Sequence, residues 1–273
     1  MAGSCPIGLA RAAGATVGWL AFALGIRRRV SVDNIVGTLG VTPRAAAGIA
    51  RRSYQNLGRS VMEFAAFRRW SADDIRRLVG LEGVDHLVRV RAAGKGAVCV
   101  AGHFGSWELL PAVLVAHGFP THGVIGRQTN ERVDDVMNEL RRAQGVTLIP
   151  RGTALKKVLL ALRANEFVIL LADQDARKGG VVVDFLGRPA STVRGPALFA
   201  VRSGCPLVTL SIHRDGGRHH AIAEPPIWPD RSLDEEAAVV DLTRRHAEAL
   251  SRRIREHPDE YFWPHRRWKS TGF

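Results

Sequence analysis

Three short runs of uncharged apolar residues, separated by helix-length stretches, constrain this chain more than any other feature. Residues 97–101 (AVCVA), 146–149 (VTLI) and 167–172 (FVILLA) show no polar alternation. That is the pattern of strands covered on both faces. The intervening segments predict helices at about 106–117, 131–144 and 153–165, with a further strand at 124–125. Strands and helices in alternation predict a largely parallel sheet with helices on both faces. Beyond Pro206, the segments PLVTLSIHR and HHAIAEPPI flank Asp215-Gly216-Gly217, a hairpin signal that makes the sheet mixed. A long amphipathic helix at about 233–255 closes the domain. Near the start, 42–69 reads as a helix with Thr42 as N-cap and Pro43 at its first position. The expected fold is therefore an α/β domain, a mostly parallel mixed sheet covered by helices, over residues 31–273.

Residues 1–30 read differently. The run 12–26 (AAGATVGWLAFALGI) is uncharged and is followed at once by Arg27-Arg28-Arg29. As a helix, fifteen residues reach about 22 Å, short of the ~30 Å hydrocarbon core. A signal peptide would carry its basic residues before the apolar run. A basic cluster after it fits a membrane-associated, interfacial helix at an anionic cytoplasmic leaflet. An ordinary buried helix has the same composition.

Charge narrows the partners. Lys and Arg number 39 against 26 Asp and Glu, a formal net charge of +13. Such an excess suits an anionic partner: nucleic acid, an acidic lipid surface or an acidic carrier protein. The positive charges are scattered pairs, and no nucleic-acid-binding signature accompanies them, so nucleic acid is not expected. Cys5, Cys99 and Cys205 are too dispersed for a disulfide framework or a zinc site, which favours a reduced cytosolic setting.

Ligands of such sheets bind beyond the carboxyl ends of the strands. The string Gly102-His103-Phe104-Gly105-Ser106-Trp107-Glu108 follows the strand AVCVA directly. A strand-to-helix turn between His103 and Glu108 would let the carboxylate fold back onto the imidazole. A His–carboxylate pair is a general-base device, because the carboxylate fixes the tautomer and stabilises the charged ring. The same spacing fits a structural histidine followed by a glutamate favoured at a helix N-terminus. No G-x-S-x-G elbow surrounds Ser106, and no Walker A loop, G-x-G-x-x-G or H-E-x-x-H occurs. His219-His220 lies on the predicted hairpin and reads as an exposed edge rather than a metal site.

Six ordered blocks carry a resemblance: AGHFGSWELL (101–110), VIGRQTNERVDD (124–135), GVTLIPR (145–151), LLADQDARKGGVVVDFLGRPASTVRGPALFA (170–200), GCPLVTL (204–210) and HPDEYFWPHRRWK (257–269). With these the chain resembles the bacterial lipid A lauroyl/myristoyl acyltransferases, within the wider H-x4-D/E glycerolipid acyltransferases. The resemblance implies that His103 is the general base and Glu108 its partner. It implies substrate contacts for Arg151, which engages an anionic part of a substrate, and for Asp173, Gln174 and Asp175, which replace an E-G-T-R-like block. That replacement favours a lipid A type acceptor over glycerol 3-phosphate. Arg127, Asn130 and Arg194 are expected to contact acceptor phosphates or donor.

The implied reaction moves a fatty acyl chain from acyl-acyl carrier protein, or acyl-CoA, to a hydroxyl of a lipid A precursor or related glycolipid. No metal or cofactor is expected. The implied setting is the cytoplasmic face of the inner membrane, with an anionic membrane surface and an acidic carrier protein as partners. A phosphatidylinositol mannoside acyltransferase using acyl-CoA is the nearest alternative. A non-catalytic basic membrane-binding protein is the alternative of another class. Phe185, Leu186 and 195–201 could line an acyl channel or belong to the core. The tail YFWPHRRWK fits either a membrane interface, where Trp and Tyr are favoured, or packing against the domain.

Overall fold

The computed structural model describes residues 7–272; Cys5 lies outside them. In chain order the helices are α1 (Ile7–Ala23), α2 (Arg28–Leu39), α3 (Pro43–Ala65), α4 (Ala72–Leu78), α5 (Val84–Ala92), α6 (Leu109–Ala116), α7 (Glu131–Ala143), α8 (Ala154–Arg163), α9 (Gly195–Ser203) and α10 (Glu235–Glu256). The strands are β1 (Val79–Glu82), β2 (Ala97–Ala101), β3 (Thr121–Ile125), β4 (Thr147–Pro150), β5 (Phe167–Leu171), β6 (Val181–Phe185), β7 (Arg188–Thr192), β8 (Leu207–Asp215) and β9 (Arg218–Ala223). Seven form one sheet in the order β1-β9-β8-β2-β5-β3-β4, and β6 and β7 pair separately as an antiparallel hairpin. Within the large sheet only the β8–β9 pairing is antiparallel.

Every residue of β2 is buried, as its uncharged composition requires of a strand with both faces covered. Val98 and Val100 face a core shared with Val158, Ala200, Leu242 and Leu250 from α8, α9 and α10. Ala97, Cys99 and Ala101 face Leu87, Leu109 and Val113 from α5 and α6. The helix expected from 106 begins only at Leu109, with Pro111 in its first turn, where no backbone donor is needed. The three residues before it remain a turn, and that turn shapes the site.

One expectation is corrected, and two alternatives left open by the sequence are decided. The four-residue β1, too short and too polar to stand out in the sequence, pairs with β9 and makes it an interior strand. His219 is therefore buried rather than on an exposed edge, and His220 bonds Glu82 at 2.9 Å. The aromatic tail packs against the domain: Tyr261, Trp263, Arg267 and Trp268 are buried, while Arg266 and Lys269 stay exposed. Phe185 and Leu186 are plain core.

At the N-terminus, α1 and α2 meet at 89°, and no single described helix is long and apolar enough to cross a membrane. α1 lies against α3 at unusually close range. A Cβ added at Gly14 would stand 2.3 Å from the Gly58 carbonyl oxygen, and one at Gly18 would stand 2.0 Å from that of Tyr54. Glycines therefore set the helix separation. The opposite face of α1 leaves Leu9, Val17, Trp19 and Leu20 exposed, with Leu24 just past its end.

Gly58→Ala is expected to destabilise the protein by about 1–3 kcal/mol through overpacking, because its Cβ would meet the Gly14 oxygen at 1.9 Å. Gly48→Ala, on the same helix with only an arginine tip at 3.8 Å, is expected to be neutral or stabilising. Thermal melts of the two variants check the difference.

Candidate active site

β2 and β5 are parallel neighbours, with Ala101 opposite Leu171. The same offset of two residues past each strand end reaches His103 on one chain segment and Asp173 on the other. Equal offsets past paired positions bring the two side by side at the carboxyl edge of the sheet, where ligands of such folds bind. The Ala172 amide donates to the Ala101 carbonyl at 3.0 Å and keeps the segments together beyond the strands. His103 Nδ1 is 2.7 Å from Asp173 Oδ1, and the His103 backbone amide donates to Asp173 Oδ2 at 2.8 Å. Gly102 permits this approach, since a Cβ there would stand 2.6 Å from Leu250 and 3.3 Å from the Asp173 carboxyl carbon.

The pairing fixes the chemistry of the ring. Nδ1–H donates to the buried carboxylate, which leaves the Nε2 lone pair toward the open side, with the Gln174 side-chain nitrogen 3.4 Å away. His103 keeps 21% of its side chain exposed against 2% for Asp173, so the imidazole is the solvent-accessible member and the acid stands behind it. Burial alone would lower the His103 pKa. The charge and hydrogen bond of Asp173, with the charge of Glu108, overcome burial and raise it above the ordinary imidazole value. Burial likewise pushes Asp173 upward, but His103 and the buried Arg267 hold it below the usual carboxylate range. The ring is bracketed by Trp107 at 5.1 Å and Phe262 at 6.1 Å between centroids.

Glu108 does not fold back onto the imidazole. Gly105 adopts φ +61°, a conformation glycine tolerates, and the turn delivers Glu108 to the start of α6 facing α7. There Arg141 grips it with both prongs, Nε to Oε2 at 2.9 Å and Nη2 to Oε1 at 2.5 Å. Glu108 acts on His103 through its field alone. Asp173 is correspondingly not free to contact substrate, because both its oxygens serve His103.

The other expected residues divide. Gln174 is at the site. Asp175 is drawn into the C-terminal segment: its amide donates to His265 Nε2 at 3.0 Å and its carboxylate accepts from Ser270 at 2.7 Å. Arg151 is exposed just past β4, on the carboxyl edge of the sheet. Arg127, in the turn after β3, is exposed and paired with Glu131. Asn130 caps α7, its side chain accepting from the Val133 amide at 3.2 Å. Arg194 pairs with Glu236 at the start of α10. Glu236 lies fourteen residues before the Leu250 that abuts Gly102, about 21 Å along the helix, so Arg194 is remote from His103.

Sequence reasoning missed Arg141 and the C-terminal strap. The Phe262 amide donates to the His103 carbonyl at 3.0 Å, and the Gly105 amide to that of Glu260 at 2.9 Å. An apolar cleft runs away from this turn between α3 and α7, lined by Leu57, Val61, Phe64, Trp107, Leu109 and Met137, with Glu108 at its wall. Among the described residues no cluster of three or more His, Cys, Asp or Glu is arranged to hold a metal ion.

A family model described as bacterial lipid A biosynthesis acyltransferase matches residues 2–270. A phosphatidylinositol mannoside acyltransferase of Mycobacterium tuberculosis is 29% identical over 244 residues, covering 86% of this chain and 75% of that protein. The lipid A biosynthesis palmitoleoyltransferase of Escherichia coli K12 is 25% identical over 224 residues, 80% of this chain and 70% of its own length. The lauroyltransferase of the same organism is 26% identical over 223 residues, with 80% and 71% covered. The match over nearly the whole chain, on a sheet edge that presents a buffered imidazole, leads to one conclusion: the chain belongs to the bacterial lipid A biosynthesis acyltransferase family and is an acyltransferase.

Proposed function

We propose that the enzyme transfers a fatty acyl chain from a thioester, carried by acyl carrier protein or CoA, to a hydroxyl of a lipid A precursor. The observation that carries this reading is the His103–Asp173 pair with Nε2 turned outward. Nε2 takes the proton of the acceptor hydroxyl as its oxygen attacks the thioester carbonyl. The tetrahedral intermediate expels thiolate, which recovers the proton from the imidazolium, leaving an ester and a free thiol. Asp173 stabilises the imidazolium between these steps. The Phe104 and Gly105 amides are already engaged with the Gly102 and Glu260 carbonyls, so the Ser106 and Trp107 amides are the donors proposed for the oxyanion.

The cleft at Leu57, Val61 and Met137 is proposed to hold the acyl chain, because its apolar walls begin beside Trp107. Exposed basic residues along the carboxyl edge, Arg127 and Arg151 among them, suit acceptor phosphates or an acidic carrier. The exposed apolar face of α1 next to Arg27, Arg28 and Arg29 suits an anionic membrane surface on the cytoplasmic side. A second reading, a phosphatidylinositol mannoside acceptor, is favoured by the mycobacterial relative at 29% identity.

Mass spectrometry of lipid A from cells lacking a late acyltransferase, complemented with this protein, is expected to show one added acyl chain. His103→Ala is expected to add none. If neither adds a chain while both accumulate at the membrane, the lipid A acceptor is wrong; acylation of phosphatidylinositol mannosides by the purified enzyme then supports the second reading.

The base must be neutral to work, so kcat/KM should rise with pH through the His103 pKa. That acid limb is expected above pH 6.5, the ordinary imidazole value, because Asp173 and Glu108 favour the protonated ring. Asp173→Asn should shift the limb to lower pH and reduce the rate about 100- to 10,000-fold. Glu108→Gln should shift it in the same direction by less. Replacing Val61 or Met137 by Trp should shorten the preferred acyl chain, as competition between donors of different length would show.

A further inference from the structure

Glu63, in the last turn of α3, is fully buried, and although burial pushes its carboxyl up, His219 and Arg214 hold it well below the usual carboxylate range. A carboxylate out of water is tolerated only where charge and hydrogen bonds replace its hydration. Here the partners come from four separate parts of the chain. Arg11 of α1 donates Nε to Oε1 at 2.6 Å, and Arg214 of β8 donates Nη1 to Oε1 and Nη2 to Oε2, the latter at 3.0 Å. His219 of β9 has Nε2 3.1 Å from Oε1. The fourth partner is Ser106, whose hydroxyl donates to Oε2 at 2.7 Å and lies 2.8 Å from Ser60 Oγ.

Ser106 stands three residues after His103 and two before Glu108. The turn around it lies flat on β8, since a Cβ at Gly105 would be 1.8 Å from the Ile212 carbonyl oxygen. Asp173 holds this turn at His103 and the C-terminal strap holds it at Gly105. The turn is also held from α3, by Ser60 and by Glu63, and the bond to Glu63 continues through Arg11 to α1. Arg11 reaches Glu63 because α1 is drawn against α3 at Gly14, Gly18 and Gly58. Arg11 Nη1 also bonds the Gly217 carbonyl at 2.8 Å, which ties the helix to the β8–β9 turn.

We propose that Glu63 is a positioning residue: through Ser106 it holds the turn bearing His103 and Glu108, and through Arg11 it makes that hold depend on the seating of α1. The apolar outer face of α1 and the reactive edge of the sheet are thereby joined through one buried carboxylate. Its kinetic consequence rests on the base role of His103 proposed above; its structural consequence does not.

The test uses the full chain with Ser106→Ala and Arg11→Gln. Neither empties the carboxylate of cationic partners, because Arg214 remains on it, so both proteins are expected to fold with melting temperatures close to wild type. Hydrogen exchange followed by mass spectrometry should show faster exchange in 102–108 for both variants, with β2 and β5 unchanged. With palmitoyl-CoA as donor and a lipid A precursor or phosphatidylinositol mannoside as acceptor, Ser106→Ala should lower kcat about tenfold to a hundredfold with KM for the donor unchanged. Arg11→Gln should lower it in the same way by less. Unchanged exchange in 102–108 in the Ser106 variant overturns the positioning role, and unchanged exchange in the Arg11 variant overturns the link to α1. A wild-type enzyme silent with both acceptors would refute the proposed reaction while exchange still decides the positioning.

Discussion

The bond pair between Asp173 and His103 is the constraint from which the site follows. A carboxylate buried this deeply must be matched by donors, and both donors come from one residue, its ring Nδ1 and its backbone amide. That double attachment determines where the turn after β2 can go, which nitrogen carries the proton and which nitrogen faces outward. It also explains the glycine before the histidine, because no side chain fits between Leu250 and the Asp173 carboxyl group. The ring gains basicity from Asp173 and Glu108 against the opposing effect of its own burial.

Around this pair the fold supplies restraint from several directions. The sheet places the two residues in register, and the strap from Glu260 to Phe262 pairs with the turn on its far side. Arg141 removes Glu108 from direct contact but keeps its negative charge near the ring, while its guanidinium covers the Phe64 face at 5.7 Å. Phe64 belongs to the apolar cleft, so the ion pair stands where the polar turn meets the surface proposed for the acyl chain.

Much of this was legible in residues alone. The uncharged strands expected at 97–101 and 167–172, the hairpin at Asp215-Gly216 and the Thr42 cap follow from local composition and turn chemistry and lie within a residue of expectation, whereas the helix expected from 106 starts at Leu109. His103 was marked by its place past a buried strand. Its acid partner was misassigned because separation along the chain favoured Glu108, five residues away, over Asp173, seventy residues away. Only the parallel register of β2 and β5 brings the second one close. The same limit hid Arg141, Glu63 and the covering of β9 by β1, all products of tertiary pairing. The tail YFWPHRRWK stayed ambiguous for another reason: aromatic and basic residues suit a membrane interface or a packed interior by composition, and only the tertiary structure shows Trp268 and Arg267 buried beside the hairpin of β6 and β7.

The most direct test of this account is a nitrogen-detected NMR titration of the His103 ring in the intact enzyme. The expected result is a neutral ring protonated at Nδ1, with the proton directed at Asp173, and a pKa above 6.5 that falls in Asp173→Asn. A neutral ring protonated at Nε2, or a pKa indifferent to Asp173, would contradict it.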